Sequence, residues 1–146
     1  MIRIRPLGSV NSEILYFLKN GLSQVFGAAK ILSEIKLPKD CYNSLRDQYN
    51  STCILRRLEP IWITLGVTDV DMYANGLNFV FGEAEVGGTR AVVSTYRLRL
   101  NADMELLKIR ILKEAIHEIG HVLGLRHCKD RSCVMCFSNS VFEVDI

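Results

Sequence analysis

Residues 117–127 read HEIGHVLGLRH and contain all three histidines of the 146-residue chain. His117 and His121 are four residues apart, so on a helix they lie on one face, about 6 Å apart along the axis. At that spacing both imidazoles can bind one zinc ion at about 2.0 to 2.1 Å. Glu118 projects to the side of that face, where its carboxylate can take a proton from a zinc-bound water. The pattern predicts a zinc site with Glu118 as its general base.

His127 is the candidate third zinc ligand, six residues after His121. It could not reach the metal if the helix continued, but a glycine at position 124 can adopt a left-handed conformation and turn the chain back. Three histidines leave the fourth tetrahedral position of zinc open for water. An open position is typical of catalytic zinc sites, whereas structural sites are closed.

The motif lies at the end of a predicted helix over residues 103–124. Apolar residues cover much of the circumference of this helix, which indicates that it is buried. Before it, two apolar runs, residues 77–85 and 89–96, flank Gly87 and Gly88. Two strands joined through glycines are typical of a hairpin.

The N-terminal half alternates between strand and helix patterns. The predicted elements are a strand at residues 2–7, a helix at 11–26 that ends at Gly27, a strand at 29–36, and a central strand at 61–65 buried on both faces. Residues 38–50 between them are rich in turn formers. Ser51 is the candidate N-cap of a short helix that ends before Pro60.

Composition indicates one globular domain spanning residues 1–146, because 49% of the residues are apolar and 23% are charged. The net charge is only +2, and lysine and arginine are spread along the chain, which argues against a nucleic-acid partner. No apolar run is long enough to cross a bilayer, and the first residues alternate instead of forming a signal peptide. We therefore expect a cytoplasmic protein without a membrane partner; its oligomeric state cannot be read from the sequence.

Five cysteines favour thiols or metal ligands over disulfides in such a compartment, unless the source is a hyperthermophile. Cys128, Cys133 and Cys136 are close together near the C-terminus. Cys41 and Cys53 stand apart from them. We expect these two to be small buried apolar residues.

The residues after the third histidine extend the motif to HExxHxxGxxHC-x4-C-x-M, with Cys128, Cys133 and Met135 at its last fixed positions. In this pattern the chain resembles the archaemetzincins, a family of metzincin zinc metallopeptidases. Three upstream segments also resemble that family: residues 48–51, 66–71 and 78–84. The resemblance covers most of the chain, and its most specific part is residues 117–135.

The resemblance implies an α/β fold with a twisted, mixed five-stranded sheet, a long active-site helix, one other major helix and a C-terminal Met-turn segment. Met135 would lie beneath the zinc ligands. The strand at residues 77–85 would be the antiparallel edge strand above the cleft. Its open backbone groups could hold an extended peptide substrate.

The resemblance also implies a second, structural zinc held by four cysteines, of which two match Cys128 and Cys133. In the family the other two follow the methionine at a distance that lies beyond Ile146. Cys136 offers a third thiolate within the given sequence, which would need a fourth ligand from elsewhere. The three cysteines of this segment would then either bind a second zinc or be reduced, partly buried thiols.

Several charged residues near the motif have simpler explanations than a functional role. Arg126 could support an oxyanion, but we expect it to be a solvated charge in a loop. Asp69 and Asp71 fit a turn better than a calcium site. Glu83 and Glu85 could hold the free amine of an aminopeptidase substrate, although solvated strand charges explain them too.

The site and the resemblance together predict a zinc metallopeptidase that hydrolyses peptide bonds by Glu118-assisted attack of a zinc-bound water. Two alternatives use the same ligands. One is a non-catalytic, zinc-stabilised module that binds peptides, and the other is a zinc hydrolase of non-peptide amides. Substrate specificity, and the choice between endopeptidase and aminopeptidase, are not encoded in any residue pattern that we recognise.

Overall fold

A computed structural model describes residues 1–146 and contains eight strands and four α-helices. The strands are β1 (Ile2–Pro6), β2 (Ala29–Ile31), β3 (Tyr42–Asn43), β4 (Gln48–Asn50), β5 (Ile63–Thr68), β6 (Met72–Tyr73), β7 (Gly82–Ala84) and β8 (Arg90–Ser94). The helices are α1 (Ser12–Phe26), α2 (Ser51–Arg57), α3 (Met104–Val122) and α4 (Val141–Val144). Short 3-10 turns lie at Lys39–Cys41 and Arg97–Arg99. None of the helices is long and apolar enough to cross a membrane.

The main sheet has five strands in the order β2-β1-β5-β8-β7. The first four strands are parallel, and β7 pairs antiparallel with β8 at one edge. This arrangement confirms the predicted mixed five-stranded sheet. The predicted hairpin is also present, although its edge strand is shorter than the apolar run at residues 77–85 suggested.

Helices α1 and α3 begin and end within two residues of the predicted bounds. The Asn11 side chain caps α1 by accepting hydrogen bonds from two backbone amides of its first turn, and Asp103 caps α3 in the same way from Leu106. Gly27 follows α1 with a φ of +97°, a conformation that favours glycine. Both helices pack against each other, and α3 also packs on β7 and β8.

Two apolar clusters hold these layers together. The larger one lies between the sheet and helices α1 and α3, and it includes fully buried side chains such as Leu18, Leu65 and Ile111. The smaller one includes Ile54 and Met72 and packs α2 near β8. The sheet is therefore covered on both sides, which explains why its parallel strands are almost entirely apolar.

Three predicted details were wrong. The central strand begins at Ile63, because the chain turns at Trp62 with a φ of +57° and leaves Ile61 and Trp62 half or more exposed. Asn50, not Ser51, caps α2, and this frees the Ser51 hydroxyl for other contacts. Residues 38–50 are not only turns, since they contribute β3 and β4 to a small three-stranded sheet with β6.

Cys41 and Cys53 form a disulfide, so the prediction of two separate apolar residues was wrong. Cys41 is buried, as expected, but the 3-10 turn at Lys39–Cys41 packs against α2 and brings the two Cα atoms to 5.4 Å. A pairing across 12 residues depends on this packing and leaves no spacing signal in the sequence.

Candidate active site

The end of α3 turns the chain towards the site in the way that its glycine predicts. Gly124 has a φ of +96°, its N–H donates to the His121 carbonyl at 2.9 Å, and the Leu125 N–H donates to the Gly120 carbonyl at 2.9 Å. This pair of hydrogen bonds is a Schellman motif, which ends a helix at a left-handed residue. The reversal brings His127 back towards the last turns of α3.

The three histidines converge. Their ligand atoms all lie within 4.8 Å of one another, and the Nε2 atoms of His117 and His121 are 3.2 Å apart. Two nitrogens on one tetrahedral zinc are about 3.3 Å apart, as follows from bond lengths of about 2.0 to 2.1 Å. The donor set and its spacing therefore fit a zinc ion.

Backbone carbonyls orient two of the imidazoles. The Nδ1 atom of His117 is 2.7 Å from the Val134 carbonyl oxygen, and Nδ1 of His121 is 2.7 Å from that of Leu125. A histidine that donates Nδ1–H to a carbonyl presents its unprotonated Nε2 to a metal. Burial lowers the pKa of His117 and of His127, which favours the neutral form that binds metals.

A cleft of about 600 Å³ opens in front of the histidines. Glu118 lines it and is only 6% exposed. Burial, together with the negative charges of Glu114 and Glu83, raises the pKa of Glu118 well above its usual value. A raised pKa is the property expected of a carboxylate that exchanges protons near neutral pH.

Strand β7 forms a wall of the cleft, and its Gly82 allows the close approach of Glu118. A Cβ atom at position 82 would lie 2.8 Å from Glu118 Oε2 and 2.6 Å from the Val92 carbonyl oxygen. Any larger residue would displace the carboxylate. The sequence gives no sign of this requirement, because the contact joins a sheet edge to a helix 36 residues later.

Glu83 and Glu85, both considered for amine binding, have partners within the chain. Glu83 Oε1 accepts hydrogen bonds from the hydroxyls of Ser51 and Thr52 at 2.6 and 2.8 Å. Glu85 accepts hydrogen bonds from Nε and Nη2 of Arg90, one on each carboxylate oxygen. Of the two, only Glu83 lines the cleft.

The segment after the third histidine packs under α3. The Cys128 N–H donates to the Met135 carbonyl at 2.9 Å, and Met135 is only 6% exposed. Its sulfur occupies the space above Gly120, where a Cβ would lie 2.5 Å from it. This close packing places Met135 against the turn of α3 that separates His117 from His121.

The remaining candidates lie outside the histidine cluster. Cys128, Cys133 and Cys136 are free and half-buried. Asp71 accepts two hydrogen bonds from Arg97, and Asp69 pairs with Arg99. These aspartates therefore act as ion-pair partners at the ends of strands.

Glu114 is a cleft residue that the sequence analysis missed. It lies one helical turn before Glu118, lines the same cleft and is 8% exposed. Burial raises its pKa to about 7. An acidic residue four positions before Glu118 on a largely apolar helix was the available signal.

A model of peptidase family M54 matches residues 14–146 of the chain. The chain belongs to peptidase family M54. It is therefore a zinc metallopeptidase, which acts on peptides or proteins, and the resemblance inferred from the histidine motif is confirmed. The three-histidine cluster supports zinc binding by this family member.

Curated relatives of the chain are archaemetzincins. The archaemetzincin of Methanocaldococcus jannaschii is 56% identical over 151 residues, covering 99% of the chain and 84% of the relative. That of Archaeoglobus fulgidus is 58% identical over 145 residues, covering 99% and 89%.

Solved structures agree with the fold. The crystal structure of Archaeoglobus fulgidus archaemetzincin complexed with malonate matches with a TM-score of 0.93 at 57% identity, covering 99% of this chain and 90% of that one. The Methanopyrus kandleri archaemetzincin matches with a TM-score of 0.88 at 40% identity, covering 99% and 85%. The M54 fold thus extends over nearly the whole chain.

Proposed function

We propose that the chain hydrolyses peptide bonds at a single catalytic zinc held by His117, His121 and His127, with Glu118 as the general base. The observation that carries this proposal is the convergence of three imidazoles beside a buried carboxylate in one cleft. The same set of ligands leaves a fourth coordination position free, as hydrolysis requires.

Zinc would supply Lewis-acid polarisation of the scissile carbonyl and would lower the pKa of a water molecule. The proton transfers would be carried out by a side chain of the protein. The Glu118 carboxylate accepts a proton from the attacking water and delivers it to the leaving amine. The raised pKa of Glu118 suits both steps, because the carboxyl can hold the proton between them.

Strand β7 is the proposed docking edge for the substrate. It is one of the two edge strands of the five-stranded sheet, and it borders the cleft beside Glu118. An extended peptide could pair with its free backbone groups and so place a carbonyl near the histidines. This role uses backbone contacts, which are compatible with many substrate sequences.

The test of the catalytic role is a Glu118→Gln substitution. We expect hydrolysis of a quenched fluorescent peptide to fall by about 1,000-fold or more, while zinc content stays at the wild-type level. Glu105→Gln is the matched control, because Glu105 lies on the exposed side of the first turn of α3 and should leave activity unchanged. Retained hydrolysis in Glu118→Gln would contradict the base role.

The two alternatives give different results in the same assay. A peptide-binding module would bind peptides but show no turnover in the wild-type protein. A hydrolase of non-peptide amides would turn over small amides and leave peptides intact. The membership in a peptidase family and the open edge strand favour peptide hydrolysis over both.

The number of zinc ions distinguishes the histidine site from a thiolate site. One zinc per chain that is lost in His121→Ala places the metal on the histidines alone. A second zinc that survives this substitution would belong to Cys128, Cys133 and Cys136, completed by a ligand from outside this group. Elemental mass spectrometry on protein purified without chelators makes this count.

A further inference from the structure

The cleft contains acidic side chains without basic ones among its lining residues. Glu83, Glu114 and Glu118 line it, and none of its lining residues is a lysine or arginine. The chain as a whole has 18 basic and 16 acidic residues, so this imbalance is local. If all three carboxyls are ionised, their negative charges exceed the two positive charges of a zinc ion by one.

Two of the three carboxylates already have a role. Glu118 is the proposed base, and Glu83 accepts hydrogen bonds from the hydroxyls of Ser51 and Thr52. Glu114 has neither an ion-pair partner nor a hydrogen-bond donor, although it is more than nine-tenths buried. A buried carboxylate without a partner is costly, so its retention in a cleft suggests a ligand.

The basic residues nearest to Glu114 form hydrogen bonds or ion pairs with other groups. Lys113 donates to the Val144 carbonyl at 3.0 Å, and Arg131 pairs with Glu143 at 2.8 Å. Both line a smaller cavity on the other side of Glu114. Glu114 lines this cavity as well as the cleft, but neither basic side chain forms an ion pair with its carboxyl.

We propose that Glu114 binds a cationic group of the substrate, an ammonium or a guanidinium, and so makes the cleft selective for peptides that carry one. This inference rests on the proposed function, because it assumes that a peptide occupies the cleft. A cation would replace the water that the buried carboxylate has lost.

The position of Glu114 also limits where this group lies along the peptide. Glu114 is one helical turn, about 6 Å, from Glu118 along the α3 axis. Two residues of an extended peptide span about 6.6 Å. For a peptide that runs along α3, the cationic group therefore belongs to a residue near the scissile bond, and the length of a lysine or arginine side chain widens this range. It is a lysine or arginine side chain there, or the free amine of a short N-terminal stretch.

The experiment measures binding without turnover. The zinc-loaded Glu118→Gln protein is titrated calorimetrically with N-acetylated hexapeptide amides of alanine and glycine that carry one arginine, moved through each position. Reference peptides carry citrulline, which has the shape of arginine without its charge. A third set has citrulline and a free N-terminal amine, and so separates a side-chain source of the cation from the terminal amine.

We expect arginine at one or two positions, or the free amine, to tighten binding by about 10-fold to 100-fold over the acetylated citrulline peptides. Adding Glu114→Gln should reduce this preference to within about twofold, while adding Glu105→Gln should preserve it. Because glutamine keeps the shape of Glu114 and removes a buried charge, the double variant is expected to fold.

Three results would overturn the proposal, and they can be told apart. Equal binding of all three peptide sets, or a preference that survives Glu114→Gln, would contradict the role of Glu114 and leave the proposed hydrolysis intact. A failure of every peptide to bind would contradict the proposed function, and this inference with it.

Discussion

The two halves of α3 differ in whether their buried charged side chains have partners of opposite charge. In the first half Arg110, only 3% exposed, donates to both carboxylate oxygens of Asp145 and to the carbonyls of Leu98 and Leu100. In the second half Glu114 and Glu118 are almost as buried and have no basic partner. The same helix therefore carries one buried cation with hydrogen-bond acceptors and, beginning one turn later, two buried carboxyls without a basic partner.

The pKa values follow this difference. The Arg110 guanidinium holds the pKa of the Asp145 carboxyl below its usual value, whereas burial raises the pKa of Glu114 to about 7. The Arg110 pair attaches the C-terminal end of the chain to α3 and is structural. The unpaired carboxylates face the cleft, and the stability that they cost is consistent with a role towards a ligand.

Removing the paired charge of Arg110 should have the largest effect on the free energy of unfolding. Arg110→Met leaves the Asp145 carboxylate and two carbonyls without their donor, and we expect the free energy of unfolding to fall by about 3 to 4 kcal/mol. Urea denaturation of the purified protein measures the loss. If the free energy of unfolding falls by less than about 1 kcal/mol, the Arg110–Asp145 pair does not stabilise the fold, and the two halves of α3 do not differ as described.

Removing the unpaired carboxyl of Glu114 should stabilise the protein, but only above the pH at which this carboxyl ionises in the unfolded chain. The folded-state pKa of Glu114, about 7, is higher than the usual 4.5, so the folded state binds the proton more tightly than the unfolded state does. Stability contributed by this proton is complete below about pH 4.5 and is lost as the pH rises through 7.

For Glu114→Gln we therefore expect up to about 3 kcal/mol more stability than wild type at pH 8, and almost no difference at pH 4.5. Urea denaturation of both proteins at the two pH values, at one zinc concentration, tests this. Equal stability at pH 8 would mean that Glu114 has a partner in the folded protein, and the contrast between the halves of α3 would fail.

A smaller effect is expected where β7 meets the second half of α3. Gly82→Ala places a methyl group 2.8 Å from Glu118 Oε2 and should lower kcat by about 10-fold by moving the carboxylate. Zinc content should not change, because the atoms nearest to this position belong to Val92 and Glu118 and not to a histidine. Gly76→Ala, in a turn where a Cβ meets nothing within 4 Å, is a control for strain of the backbone alone.

Local patterns in the sequence predicted the parts of the molecule that depend on nearby residues. The buried α3, its end at Gly124 and the converging histidines all follow from spacings of no more than ten residues. The apolar strand at residues 61–65 and the hairpin at 77–96 were found in the same way, with errors of a few residues at their ends.

The parts that were missed depend on contacts between distant segments. The disulfide of Cys41 and Cys53 requires α2 to pack on a 3-10 turn, and the small sheet requires residues 38–50 to reach β6. The fact that Arg110 has a partner and Glu114 has none is likewise a tertiary property. No periodicity within α3 distinguishes the two residues.

The most direct test of the account is X-ray absorption at the zinc edge of protein loaded with one equivalent of zinc. We predict three nitrogen neighbours from the histidines and one oxygen neighbour, at about 2.0 to 2.1 Å, and no sulfur. Sulfur neighbours at about 2.3 Å would place the first zinc on the cysteines. That result would contradict the claim that the end of α3 builds an open zinc centre.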